Sequence, residues 1–151
     1  MICIQETKLQ YLQDSNCYNL WGHNNINWVN KQATRKSGGV LTIWNKEKNK
    51  CEKQVVGNMY IGVIGQFYTN VNANSILVST FNVYSSCVLN EKLNLWEELA
   101  SIKLREECKQ WCMLGDFNVV GELMKEEAKI INEAQLEKWK DLIISLKRQS
   151  F

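Results

Sequence analysis

Trp111-Cys112-Met113-Leu114-Gly115-Asp116-Phe117-Asn118 is an apolar run that breaks abruptly into glycine, aspartate and asparagine. A short apolar run bounded by turn residues is the pattern of a buried strand, here one that delivers a carboxylate to a sheet edge. Two other stretches end in the same way. Ile2-Cys3-Ile4-Gln5 runs into Glu6-Thr7-Lys8, and Phe81-Asn82-Val83 ends on Tyr84. Functional groups collect where strands of a rigid scaffold end in loops. The ends of these three strands are therefore expected to converge, placing Glu6, Tyr84, Asp116 and Asn118 around one cleft.

The elements between these stretches set the fold class. Ile2 to Gln5 reads as a buried strand and Cys17 to Trp21 as a second, short one, followed by a polar loop from Gly22 to Asn27. Gly39 to Trp44 is a strand opened by a Ser-Gly-Gly turn. Val55-Val56, Gly57-Asn58 and Met59 to Phe67 read as a hairpin. Ser75 to Tyr84 alternates into another strand. The first strong helix runs from about Asn90 to Lys109, with Leu89, Leu93, Trp96, Leu99 and Ile102 at three- and four-residue steps. After the Trp111 strand, a second helix is expected over Asn132 to Lys147, with Leu136, Trp139, Ile143 and Leu146 on one face. Strands in a run, then helix, strand and helix, favour an α+β layered domain over a doubly wound parallel sheet, which would place a helix after nearly every strand. The expected fold is two mainly antiparallel sheets packed face to face with helices outside, a single domain over residues 1–151.

Composition narrows the setting. Eighteen basic residues against sixteen acidic ones do not by themselves announce a nucleic-acid partner. Lys31, Arg35, Lys36, Lys46, Lys48, Lys50 and Lys53 make one local basic stretch, interrupted by Glu47 and Glu52. Such a stretch can follow a phosphate backbone, or it can simply protect a hairpin edge with lysines. The six cysteines include no CxxC, and with one histidine in the chain a mixed Cys/His zinc site lacks ligands. Cys3 and Cys112 lie inside apolar strand patterns and read as small core residues. No signal peptide or membrane span is visible, which suggests a reducing intracellular setting, nucleus or cytoplasm. The chain has no proline, and its loops turn on Gly, Asn and Ser.

Each candidate residue has a plain alternative. A lone strand-end glutamate is usually solvated, Asp and Asn are common in turns, and a tyrosine such as Tyr84 is more often a core or edge aromatic. Their combination has a chemical logic. A carboxylate at Glu6 suits a hard cation such as Mg²⁺, which prefers oxygen ligands. Asp116 can accept a proton or orient water, and the Asn118 amide can donate to a phosphate oxygen.

Taken in order, Gln5-Glu6-Thr7-Lys8, Lys36-Ser37-Gly38-Gly39-Val40, Asn82-Val83-Tyr84, Leu95-Trp96-Glu97-Glu98-Leu99 and Gly115-Asp116-Phe117-Asn118-Val119 resemble the endonuclease/exonuclease/phosphatase superfamily. The series is most similar to the endonuclease domain of plant non-LTR (LINE-type) retrotransposons. The resemblance implies a four-layer α/β-sandwich and a Mg²⁺-dependent DNA endonuclease, with Mn²⁺ as a substitute cation. It implies Glu6 as metal ligand, Tyr84 as a catalytic residue holding the scissile phosphate, Asp116 as the group that activates water, and Asn118 as a phosphate-binding residue. The partners implied are the DNA phosphate backbone and a reverse transcriptase region in a parent polyprotein, with no membrane.

The chain departs from the family pattern at three places. The family's first strand, with an asparagine near the metal, has no counterpart before Met1. Its last portion, with an aspartate and a catalytic histidine, has none after Phe151. Tyr84 is followed by Ser85-Ser86-Cys87 where the family commonly has proline. The expectation is thus an incomplete sandwich and an impaired enzyme. His23, far from the family's histidine position, is not expected to replace it. A nucleic-acid-binding remnant without catalysis, or a phosphatase of the same superfamily, are the alternatives.

Overall fold

The computed structural model describes residues 1–34, 38–68, 74–106, 108 and 110–118. The chain divides into two compact units, one of Met1–Tyr84 with Lys109–Asp116, the other of Ser85–Cys108 with Phe117–Phe151.

The first unit holds both sheets. β1 (Ile2–Gln5), β2 (Ile26–Lys31) and β3 (Val40–Asn45) form a three-stranded sheet in the order β1-β3-β2, with both pairings antiparallel. β4 (Asn49–Val56), β5 (Tyr60–Tyr68), β6 (Ser75–Tyr84) and β7 (Gln110–Asp116) form the second sheet in that order. Its β4–β5 and β5–β6 pairs are antiparallel and its β6–β7 pair is parallel. The expected architecture of two mainly antiparallel sheets, packed face to face, is the one found.

Alternation along the strands sorts the side chains into layers. On the outer face of the three-stranded sheet, Leu41, Ile43 and Ile26 pack with Cys17 of α1 (Asp14–Trp21), flanked by Ile2, Ile4 and Trp28. On its inner face, Val40 and Trp44 meet Ile61 and Val63 of β5, with Val29 and Tyr84 at the margin. The opposite face of the four-stranded sheet carries a row of rings. Tyr60 and Phe81 lie 5.9 Å apart, and Phe81 stacks on Trp111 at 4.9 Å.

A buried amide crosses the inner layer. Asn82, fully buried in β6, shares its two Nδ2 hydrogens among three acceptors, Leu41 O at 2.9 Å, Thr42 Oγ1 at 3.1 Å and Ile4 O at 3.3 Å. Its Oδ1 accepts from Gln5 Nε2. The side chain thus bonds to β1 and β3 from the opposing sheet. Leaving such a buried group unsatisfied would cost about 1–3 kcal/mol.

The second unit contains α2 (Leu89–Arg105). Of the expected stripe, Trp96, Leu99 and Ile102 are buried, joined by Leu95, and the helix ends four residues before Lys109. The helix expected over Asn132 to Lys147 lies outside the described residues. No helix among the described residues is long and apolar enough to cross a membrane.

Two local readings of the sequence are corrected. Cys17 to Trp21 is helical, not a strand: it is the second half of α1. Asn16 Oδ1 accepts from Gln13 N at the start of that helix, and Gly22, at φ 97°, closes it by donating to Tyr18 O at 2.8 Å. A left-handed glycine after the last turn is a common helix stop. The loop assigned to Gly22–Asn27 runs directly into β2, whose outward Ile26 and Trp28 reach the α1 core.

The cysteines are all free thiols. Cys87 is exposed, whereas burial pushes the Cys3 thiol up to about 11, opposed by its hydrogen bond with Thr42. Relative to a thiol at 9.0, that leaves Cys3 about 100-fold less thiolate in neutral buffer, and the thiolate is the reactive form. Cys87 should therefore be alkylated first in the native protein and Cys3 far more slowly, as read by mass spectrometry of timed iodoacetamide reactions. Equal labelling rates at the two positions would contradict this packing.

Candidate active site

β1, β6 and β7 finish at one end of the sandwich. The Asn82 amide joins Ile4 and Gln5, the last residues of β1, to β6 two residues before Tyr84. The parallel register then sets Asn82 beside Leu114 and Tyr84 beside Asp116. Glu6, Tyr84 and Asp116 are thereby brought to the same end of the first unit. Tyr84 and Asp116 are register partners and share the inner side of their sheet. The Tyr84 side chain packs at the margin of the Val40–Trp44–Ile61–Val63 cluster, and its backbone N–H donates to Met59 O at 2.8 Å.

Two glycines shape this end. Gly115 sits at φ 140°, and a Cβ there would stand 1.9 Å from Val83 O. Only hydrogen fits between β6 and β7 immediately before Asp116 leaves the sheet. Gly39, at φ 88°, precedes β3, and a Cβ there would meet Thr7 Oγ1 at 2.3 Å. The residues before β3 receive the loop after β1 through Thr7 N to Gly39 O at 3.1 Å and Lys8 N to Gly38 O at 3.0 Å. Gly38 and Gly39 thus hold the segment that carries Glu6. Both Glu6 (φ 52°) and Lys8 (φ 58°) take left-handed conformations uncommon for side-chain-bearing residues. Strained backbone of this kind is concentrated at functional sites.

The Glu6 carboxylate is exposed and ion-paired with Lys8 Nζ at 3.5 Å. An exposed pair of this kind contributes little stability, so the carboxylate can exchange the ammonium for another cation. Among the described residues no three His, Cys, Asp or Glu side chains cluster as an all-protein metal cage would require. Mg²⁺ needs no such cage, because one or two carboxylates, several waters and substrate phosphate oxygens complete its coordination. The hard oxygen donors Glu6 and Asp116 fit that chemistry.

Asn118 belongs to the second unit. Its Nδ2 donates to Ser85 O at 2.6 Å, and its own carbonyl accepts from Lys92 Nζ at 2.9 Å. Phe117 stacks on Trp96 at 5.7 Å in the same unit. One amide hydrogen of Asn118 is therefore committed to the chain itself.

Of the remaining candidates, Lys31 pairs with Val40 at the same end of the sheet as Gln5, whereas His23, Lys46, Lys48 and Lys50 lie elsewhere. β3 begins at Val40, opposite Gln5, and ends at Asn45, opposite Ile26. His23, just before β2, accordingly lies at the far end of this sheet from Glu6. It is exposed, with contacts from Trp21 Nε1 at 2.9 Å and Asn25 N at 3.1 Å. Lys46 and Lys48, in the turn after Asn45, and Lys50, paired with Gln66, also lie at that far end. These three lysines are on a hairpin edge away from Tyr84. Arg35 and Lys36 lie outside the described residues. The residues to which the sequence reading gave no role are Gln5 and Asn82. Their signal was a polar side chain embedded in each apolar run.

No family model matches the chain, and no curated protein matches it. Solved structures do. The human Nocturnin catalytic domain, solved with bound sulfate, is similar at a TM-score of 0.48 and 10% identity, over 78% of this chain and 51% of that one. D. rerio TDP2 in complex with a single-stranded DNA product gives 0.44 and 13%, over 82% and 50%. An endonuclease/exonuclease/phosphatase family protein from Bacteroides thetaiotaomicron gives 0.39 and 8%, over 70% and 44%. The chain spans about half the length of these structures, and TM-scores below 0.5 assign neither family nor activity.

The glycine geometry yields a test. Gly115→Ala carries left-handed strain of about 1–3 kcal/mol and adds a collision with Val83 O. At about 2–4 °C per kcal/mol for a chain of this size, its melting temperature should fall by about 5 °C or more. Gly22→Ala shares the positive φ but has no atom within 4 Å of the added carbon, so it should lose less. Equal losses in the two variants would contradict the close approach of β6 and β7.

Proposed function

We propose that this chain is a metal-dependent phosphodiesterase domain acting on DNA, of the endonuclease type found in LINE-type retrotransposons. The observation that carries the reading is the placement of Glu6, Tyr84 and Asp116 at one end of the first unit, each at or just past the end of a different strand. The ordered motifs through Gly115-Asp116-Phe117-Asn118 supply the family resemblance. On this reading a reverse transcriptase region in the same polyprotein is the accompanying partner.

The roles follow from side-chain chemistry. Glu6 would hold Mg²⁺ through its carboxylate, giving up its pair with Lys8. When bound, the cation supplies charge neutralisation and Lewis acidity at the phosphate. The Tyr84 hydroxyl can donate to a non-bridging phosphate oxygen. Asp116 can accept a proton from attacking water, provided water lies within hydrogen-bond reach. Asn118 would be the phosphate-binding residue that the family resemblance implies. One observation favours the second reading, a nucleic-acid-binding remnant without turnover. His23, the only histidine of the chain, lies at the far end of the sheet from these groups.

Supercoiled plasmid separates the two. On the first reading, Mg²⁺-dependent nicking that EDTA abolishes is expected. Asp116→Asn should remove it, Glu6→Ala should shift its metal dependence, and His23→Ala should leave it unchanged. Plasmid binding with no nicking would favour the remnant. Nicking that survives Asp116→Asn, or that needs His23, would overturn the assignment.

A further inference from the structure

We infer that Gln5 is a positioning residue for the Glu6 carboxylate, acting through the buried amide of Asn82. The inference rests on the reading of Glu6 as the cation's ligand and adds a determinant of that site.

The orientation of Asn82 is forced by its surroundings. Three acceptors, Leu41 O, Thr42 Oγ1 and Ile4 O, face its Nδ2. Its Oδ1 must then meet a donor, and Gln5 Nε2 is that donor. Gln5 is the last residue of β1, and its side chain points inward to the opposing sheet. In a regular strand the next residue would point outward, toward α1. Glu6 leaves that pattern because its φ is 52°. The tethered Gln5 side chain is therefore the last fixed point before the turn that aims Glu6. On the other side of Glu6, Thr7 N is held by Gly39 O. The carboxylate stands between two anchors, one of them reaching across the sandwich. Outer partners that orient a ligand typically change metal affinity 10–100-fold.

Mn²⁺ titration of the full chain, followed by electron paramagnetic resonance, tests this without relying on turnover. Wild-type protein should bind Mn²⁺ in a manner lost with Glu6→Gln. Gln5→Met keeps the side-chain volume and removes the donor, so its affinity should fall about 10–100-fold while the cooperative melt is retained. Thr42→Val removes an acceptor on the β3 side of Asn82 and should lower stability with Mn²⁺ affinity kept within about twofold of wild type, well short of the outer-partner effect. Gln5→Asn keeps an amide but is one methylene shorter, which withdraws the donor from Asn82 Oδ1. Its affinity should fall as in Gln5→Met, and this variant decides the matter if Gln5→Met does not fold. Wild-type affinity in Gln5→Met or Gln5→Asn, or an equal loss in Thr42→Val, would overturn the inference while leaving Glu6 as ligand. Absence of Glu6-dependent binding in the wild type would overturn both.

Discussion

The architecture of the first unit depends on the carboxamide of Asn82. Two sheets meeting through apolar side chains alone can slide, because hydrophobic burial is non-directional. A buried amide that must satisfy one acceptor and its donors cannot slide without losing bonds in a low-dielectric interior. Asn82 reaches Leu41, Thr42, Ile4 and Gln5 from the opposing sheet. It therefore fixes which end of β1 lies against which end of β6. The parallel register carries that alignment onward to β7 and Asp116.

Backbone geometry then finishes what the amide begins. Gly115 lets β7 run against Val83 of β6 up to the point where Asp116 departs. Gly39 sits so close to Thr7 that an added Cβ would collide with the Thr7 hydroxyl. Left-handed turns at Glu6 and Lys8 take the chain away from β1 there. The apolar core, with Ile61, Val63, Val40 and Trp44 at its centre, supplies the rigid base from which these turns project.

Much of this was legible in the sequence, for identifiable reasons. β6 is rich in apolar and β-branched residues over Ser75–Tyr84, and its boundaries match the expectation. The helical stripe of Leu95, Trp96, Leu99 and Ile102 was readable in part, although Leu95 lay outside the expected stripe. α1 was misread because Cys17-Tyr18-Asn19-Leu20-Trp21 combines aromatic and apolar residues that favour strands, and its helical nature rests on its ends, Asn16 and Gly22. β2 was missed because Asn27 and Asn30 are residues depleted in strands. At the site, the carboxylates announced themselves by ending apolar runs. Gln5 and Asn82 did not, since their importance comes from a contact between residues 77 positions apart.

The central claim is that one buried amide gathers the ends of β1, β6 and β7 so that a cation drawn to Glu6 also lies beside Tyr84 and Asp116. Paramagnetic broadening of amide signals in ¹⁵N-labelled protein by trace Mn²⁺ tests it most directly. Signals from Gln5 to Thr7, Val83 to Tyr84 and Gly115 to Asp116 should fade together at the lowest Mn²⁺ level, while those around His23 and Glu47 persist. Fading centred on His23 and Glu47, or fading at Glu6 without Tyr84 and Asp116, would contradict the account.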